Sequence, residues 1–125
     1  MLAVFLKIKE IYDIVKAANE LGIKSVKPGM KASEVVTIVR DYIASFGYGP
    51  NFGHSLGHGL GINVHEAPGV GYNNQTILEE GMVITIEPGI YVEGLGGVRI
   101  EDDVVVTKDG CKVITSYPKE LIIVK

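Results

Sequence analysis

The sequence predicts an α+β fold in which two amphipathic helices precede an antiparallel sheet. Three observations carry that prediction. Apolar residues recur at helical spacing as far as Phe46, short β-branched runs replace them after Tyr48-Gly49-Pro50, and glycines crowd the stretch from Gly47 to Gly97. With 16 glycines in 125 residues, the middle of the chain calls for unusual backbone.

The first helix is read from Lys7 to Leu21. There Ile8, Ile11, Tyr12, Val15 and Ala18 fall on one face, and Gly22 supplies a C-terminal stop. A turn at Lys27-Pro28-Gly29 separates it from a second helix carrying Val35, Val36, Val39, Tyr42, Ile43 and Phe46, which ends at Gly47. Strands are expected at Val83–Ile86, Val98–Ile100, Val104–Thr107 and Lys112–Thr115, with Asp109-Gly110 turning the last hairpin.

Bulk properties narrow the function. A chain of 125 residues that is 46% hydrophobic is the size of one compact domain, residues 1–125, with one core. Twelve basic against fifteen acidic residues give a net charge of −3 with no basic run, which excludes nucleic acid and an anionic membrane surface as expected partners. The single Cys111 rules out an internal disulfide or a Cys-rich zinc module and fits a reducing cytoplasm. The apolar opening Leu2–Leu6 is too short to span a bilayer and has no basic region before it, so it reads as packed structure.

All three histidines, His54, His58 and His65, fall in one twelve-residue window. His54 and His58 are four apart, but Gly57, Gly59 and Gly61 make a helix improbable there. A glycine-bent strand or loop is expected instead, with imidazoles available as ligands, hydrogen-bond donors or proton shuttles. His54 taken alone reads as a satisfied structural residue; three together point to a site. A phosphate-cradling loop is disfavoured, because Gly57-x-Gly59-x-Gly61 is not a dinucleotide fingerprint and no strand-loop-helix context surrounds it.

A second constellation joins Ile86-Glu87-Pro88-Gly89 to Arg99-Ile100-Glu101-Asp102 across Gly94-Leu95-Gly96-Gly97. A hairpin that pairs Glu87 with Glu101 is centred on Gly94. Like charges directly opposite each other destabilise a sheet, so the pairing requires a reason, and a divalent cation supplies one. Pro88 removes a ladder donor at the same point. Arg99 and Glu101, two apart, share a strand face. The alternative is a solvated pair of carboxylates with Arg99 neutralising one of them; hairpin geometry alone leaves both readings standing.

Taken as one ordered set, His-x-x-Gly-His-Gly-x-Gly-x-x-Val-His-Glu, Ile-Glu-Pro-Gly-Ile-Tyr and Arg-Ile-Glu-Asp resemble the pita-bread metallopeptidases, in particular their proline dipeptidase and Xaa-Pro aminopeptidase branch. The resemblance implies half of that fold, a pair of helices followed by a curved antiparallel sheet. It implies hydrolysis of a peptide bond preceding proline by metal-activated water. It makes His58 a metal ligand, Glu87 a ligand of the same metal and a general base, and Glu101 a carboxylate bridging two metals. His65 becomes the histidine that stabilises the scissile amide or oxyanion, His54 an additional active-site histidine, and Arg99 an orienting residue. An oxygen-rich donor set with one imidazole suits Mn²⁺ or Co²⁺, with Zn²⁺ or Fe²⁺ as further choices.

The pattern also departs from the family. Its two aspartate ligands lie upstream of the matched region, whereas the aspartates here are Asp13, Asp41, Asp102, Asp103 and Asp109, none placed to replace them. The expected site therefore holds at most one metal, and the expected activity of the chain alone is weak or absent. A missing half predicts an exposed apolar inner sheet face, hence a homo-oligomer or pairing with an amino-terminal half. The rival reading is a non-catalytic peptide-binding module with a peptidase-like shape. Met1 directly before an apolar run is also compatible with a start set inside a longer reading frame.

Overall fold

The computed structural model describes residues Met1–Lys125. Helix α1 spans Leu2–Ser25 and α2 spans Ala32–Ser45, followed by a short 3-10 turn at Gly49–Asn51. Seven strands follow: β1 Gly57–Gly59, β2 Glu66–Val70, β3 Val83–Ile86, β4 Gly89–Val92, β5 Gly96–Arg99, β6 Asp102–Val106 and β7 Cys111–Val113. β1, β2, β3, β6 and β7 form an antiparallel sheet in the order β2-β1-β3-β6-β7, and β4 and β5 pair as a separate ribbon.

The helices bury one stripe each. On α1 it is Ile11, Ile14, Val15, Ala18, Asn19 and Gly22; on α2 it is Ala32, Val35, Val36, Val39 and Ile43. These meet Ile84, Ile86, Val104 and Val106 from the sheet and Ile90 from the ribbon in one core. Along β6 burial alternates, with Asp102, Val104 and Val106 inward, so Asp103 and Val105 face the other side.

Three expectations change. Gly22 does not stop the first helix, which runs on to Ser25. A Cβ at Gly22 would lie 2.9 Å from Ile86 Cγ2 and 3.1 Å from Val39 Cγ2, so the glycine lets α1 seat against the sheet and α2. Leu2–Leu6 is helical but not packed: Leu2, Val4, Phe5 and Leu6 are all exposed, because α1 extends beyond the elements that cover its later turns. None of the large exposed apolar side chains lies on β3 or β6; most sit at the start of α1, at Ile62 and Val64, and near the C-terminus. The outward face of the sheet's centre is mixed, with Val83 and Val105 beside Thr85 and Asp103. The expected stop of the second helix is present, with Gly47 at φ +86° just after α2.

The foreseen hairpin is present and longer than one ribbon. β4 pairs with β5 from Gly89↔Arg99 to Val92↔Gly96, and β3 pairs with β6 from Val83↔Val105 to Ile86↔Asp102, all in the register that sets Glu87 against Glu101. Gly94 turns it with φ +78°. Regular pairing lapses only between the two halves, beside Pro88, where the Ile100 N–H donates to the Pro88 carbonyl at 3.3 Å.

Candidate metal centre

β1 lies in the stretch expected as a glycine-bent strand or loop, and it places the candidate ligand His58. Gly57 and Gly59 flank His58, and a Cβ on either would overlap backbone carbonyls, of Thr85 and of Ala67 respectively. Glycine at both positions thus allows three strands to close around one imidazole, with a register irregularity between His58 and Gly59 turning the strand. The His58 N–H donates to Thr85 Oγ1 at 3.0 Å, and that hydroxyl donates to Glu87 Oε2 at 2.8 Å. The Thr85 side chain thus ties the His58 backbone to the Glu87 carboxylate while itself only 2% exposed.

One ligand atom from each of His58, Glu87 and Glu101 falls within 4.8 Å of the others. His58 Nε2 stands 3.3 Å from Glu87 Oε2. His58 Nδ1 lies 2.9 Å from the Gly59 carbonyl, a bond that places its proton on Nδ1 and leaves the Nε2 lone pair facing the carboxylates. Burial first, then the negative charge and hydrogen bond of Glu87, and then Asp103 push the Glu101 carboxyl above its usual range, against a lowering by Arg99. Two carboxylates drawn together beside a preset imidazole nitrogen are a donor set that fits a divalent cation.

A cleft of about 490 Å³ opens over these groups, lined by His54, His58, His65, Glu87 and Arg99 among others. Glu101 is exposed at its margin and lines two neighbouring clefts, one shared with Arg99 and one with His58. The His65 ring stands against that of His58, with centroids 4.3 Å apart and planes tilted by 57°. His54 has both ring nitrogens engaged: Nδ1 lies 2.7 Å from the Ser55 carbonyl, and Nε2 2.9 Å from the Tyr91 hydroxyl. Arg99 takes part in none of the salt bridges, so it does not neutralise either glutamate by direct pairing.

Sequence reasoning missed Thr85, Tyr91 and Asn19. Asn19 is fully buried, and its amide donates to the carbonyls of Ile86 and Ile100 at 3.1 and 3.4 Å, the residues just before Glu87 and Glu101. Its signal was available: a polar residue one turn beyond Val15 on the apolar stripe of α1.

The arrangement is an antiparallel sheet backed by a helix pair, with a histidine and two glutamates gathered as a candidate metal-binding cluster. Residues 3–108 match the Peptidase_M24 family, and the chain belongs to metallopeptidase family M24. It is 54% identical over 116 residues to the Xaa-Pro dipeptidase of Pyrococcus horikoshii, covering 93% of this chain and 33% of that protein. It is 56% identical over 117 residues to the Bacillus subtilis protein named "Uncharacterized peptidase YqhT", covering 94% of this chain and 33% of the relative. Among solved structures, the Xaa-Pro dipeptidase from Bacillus anthracis superposes with a TM-score of 0.93 at 54% identity, over 94% of this chain and 33% of that one. The prolidase from Pyrococcus horikoshii gives 0.91 at 54% identity, over 93% and 33%. The chain spans about one third of the length of these relatives, and its helices and sheet form that portion of their pita-bread fold.

Proposed function

We propose that this chain supplies the histidine and carboxylate side of a Xaa-Pro-directed metallopeptidase site. The observation that supports the reading is the His58, Glu87 and Glu101 cluster, with ligand atoms within 4.8 Å and the His58 tautomer already set. Mn²⁺ or Co²⁺ suits this donor set before Zn²⁺ or Fe²⁺, and His58, Glu87 and Glu101 would together hold one such ion. When bound, the ion supplies Lewis acidity, lowering the pKa of an attacking water and polarising the scissile carbonyl.

The chain's own groups have definable tasks. Glu87 faces the cleft and accepts the proton of the attacking water. His65, whose ring forms none of the structure's hydrogen bonds, is free to donate to the oxygen that gains charge. Arg99, exposed and without an ion-pair partner, orients an anionic group of the peptide. His54, fixed through Tyr91, shapes the wall next to it. The substrate class is a peptide with proline after the scissile bond, by likeness to the Xaa-Pro dipeptidases above.

Hydrolysis by the isolated chain is weak or absent on this reading, because two aspartate donors of the family have no counterpart among its five aspartates. The same shortage supports the second reading, a peptide-binding module that no longer cleaves. Pairing with an amino-terminal half that carries the two aspartates would complete the site, whereas self-association would not supply them; the cytoplasm is the proposed compartment on the strength of the unpaired Cys111. The decisive experiment is Mn²⁺ titration of the purified chain with parallel assay of a Xaa-Pro dipeptide. One ion per chain, lost in Glu87→Gln, is the expected result, and no retained metal overturns the reading. Peptide binding without turnover favours the module; turnover that Glu87→Gln abolishes favours the enzyme. A stable monomer in sedimentation at high concentration counts against self-association.

A further inference from the structure

The hairpin carrying Glu87 and Glu101 is interrupted at the point where those residues must be held most firmly. Pro88 has no N–H, regular pairing lapses beside it, and the carbonyls of Ile86 and Ile100 turn toward α1. Asn19 meets both with its two amide hydrogens, at 3.1 and 3.4 Å. Its own oxygen accepts from Lys119 Nζ at 2.8 Å, and a lysine can only donate, so the amide has one orientation that satisfies every partner.

Lys119 is held in turn. Its Nζ lies 3.0 Å from Asp102 Oδ2, the side chain after Glu101 and only 3% exposed, while the Thr115 hydroxyl donates to Asp102 Oδ1. The Tyr12 hydroxyl donates to the Lys119 carbonyl at 2.6 Å, and Tyr12 precedes Asn19 by two turns on the same face of α1. One helix therefore grips both carboxylate-bearing segments and the C-terminal segment through a polar network whose inner members, Asn19 and Asp102, are buried.

We propose that Asn19, oriented by Lys119, is a positioning residue for metal binding. It sets the separation of Glu87 and Glu101 through the Ile86 and Ile100 carbonyls without touching either carboxylate. The inference rests on the reading of the three-residue cluster as a metal site. A role confined to stability would lower the unfolding midpoint and leave the affinity and geometry of the folded site unchanged. Positioning changes both in a chain that remains folded.

The test is Co²⁺ titration of the full chain, following the visible ligand-field absorption, for wild type, Asn19→Leu, Lys119→Met and the control Lys16→Met. Lys16 sits on the same helix and only approaches Glu120, at 4.0 Å on the surface. Thermal unfolding monitored in parallel establishes which variants are folded. Loss of supporting bonds around a metal site costs about 10-fold to 100-fold in affinity. The expected result is a loss of that size in Asn19→Leu, a smaller loss of the same spectral character in Lys119→Met, and a wild-type curve for Lys16→Met. Folded Asn19→Leu with unchanged affinity and spectrum overturns the proposal. If Asn19→Leu does not fold, Lys119→Met decides in the same way, and failure of both to fold assigns the network to the fold alone and overturns it. Absence of Co²⁺ binding by wild type refutes the metal site itself, a separate outcome from these.

Discussion

Glu87 and Glu101 face each other across a hairpin whose register is the same on both sides of them and whose ladder pairing lapses only beside them. Sheets ordinarily avoid like charges at opposed positions. Here the cost is maintained by surrounding bonds: Thr85 to Glu87, and Asn19 to the carbonyls that precede each carboxylate.

Replacing one of the pair should therefore stabilise the metal-free chain. Glu101→Gln removes the repulsion and raises the urea midpoint at neutral pH by the equivalent of roughly 0.5 kcal/mol, the scale of one cross-strand pair. The sign with pH follows from the raised carboxyl of Glu101. The protonated form is favoured in the fold, so the group's contribution is full below its unfolded value and lost as pH rises through the folded one. In excess chelator, wild type should lose more stability than Glu101→Gln between mildly acid and neutral pH. With Mn²⁺ present the order reverses, because the variant loses a ligand. Parallel pH dependences in the two proteins would contradict this account.

Thr85→Val keeps the volume but removes a hydroxyl that serves His58 and Glu87 together. It leaves the partly buried His58 N–H without its partner, at a cost of about 1 kcal/mol. Mn²⁺ affinity should fall about 10-fold as Glu87 loses its tether. Calorimetric titration beside a denaturation curve measures both effects, and unchanged affinity would remove Thr85 from the site.

Gly22→Ala separates two effects of one methyl group. Helix propensity favours alanine by about 1 kcal/mol, whereas crowding a packed interior costs about 1–3 kcal/mol. The methyl would stand 2.9 Å from Ile86 Cγ2, so crowding dominates and the unfolding midpoint should drop. A rise would show that Ile86 yields freely.

Cys111 is half-buried, its thiol is pushed up by burial, and its S–H donates to the Ile23 carbonyl at 3.2 Å. The fold favours the neutral thiol, so this contribution to stability declines as pH rises above the ordinary thiol value of about 8.5. Iodoacetamide should modify native Cys111 at least about 10-fold more slowly than the urea-unfolded chain at pH 8, since only the thiolate reacts. Mass spectrometry of timed samples gives the two rates, and equal rates would refute the burial argument.

Local pattern in the sequence determined the helix pair, the hairpin and its register about Gly94, and the residue types gathered at the cleft. These follow from periodicity, turn chemistry and spacing along a short stretch of chain. Around β1 the sequence left open whether the glycine-bent stretch is strand or loop, and β2 escaped because glycine and proline hide the alternation; their backbone is shaped by carbonyls of β3 and by each other. The length of α1, the work of Gly22 and the exposure of Leu2–Leu6 depended on which surfaces come to lie against the helix. Asn19 is the clearest case. Its partners Ile86, Ile100 and Lys119 lie 67, 81 and 100 residues away in the chain. A polar residue on an apolar stripe announces that some buried group must be satisfied, and only the packed tertiary structure decides which group that is.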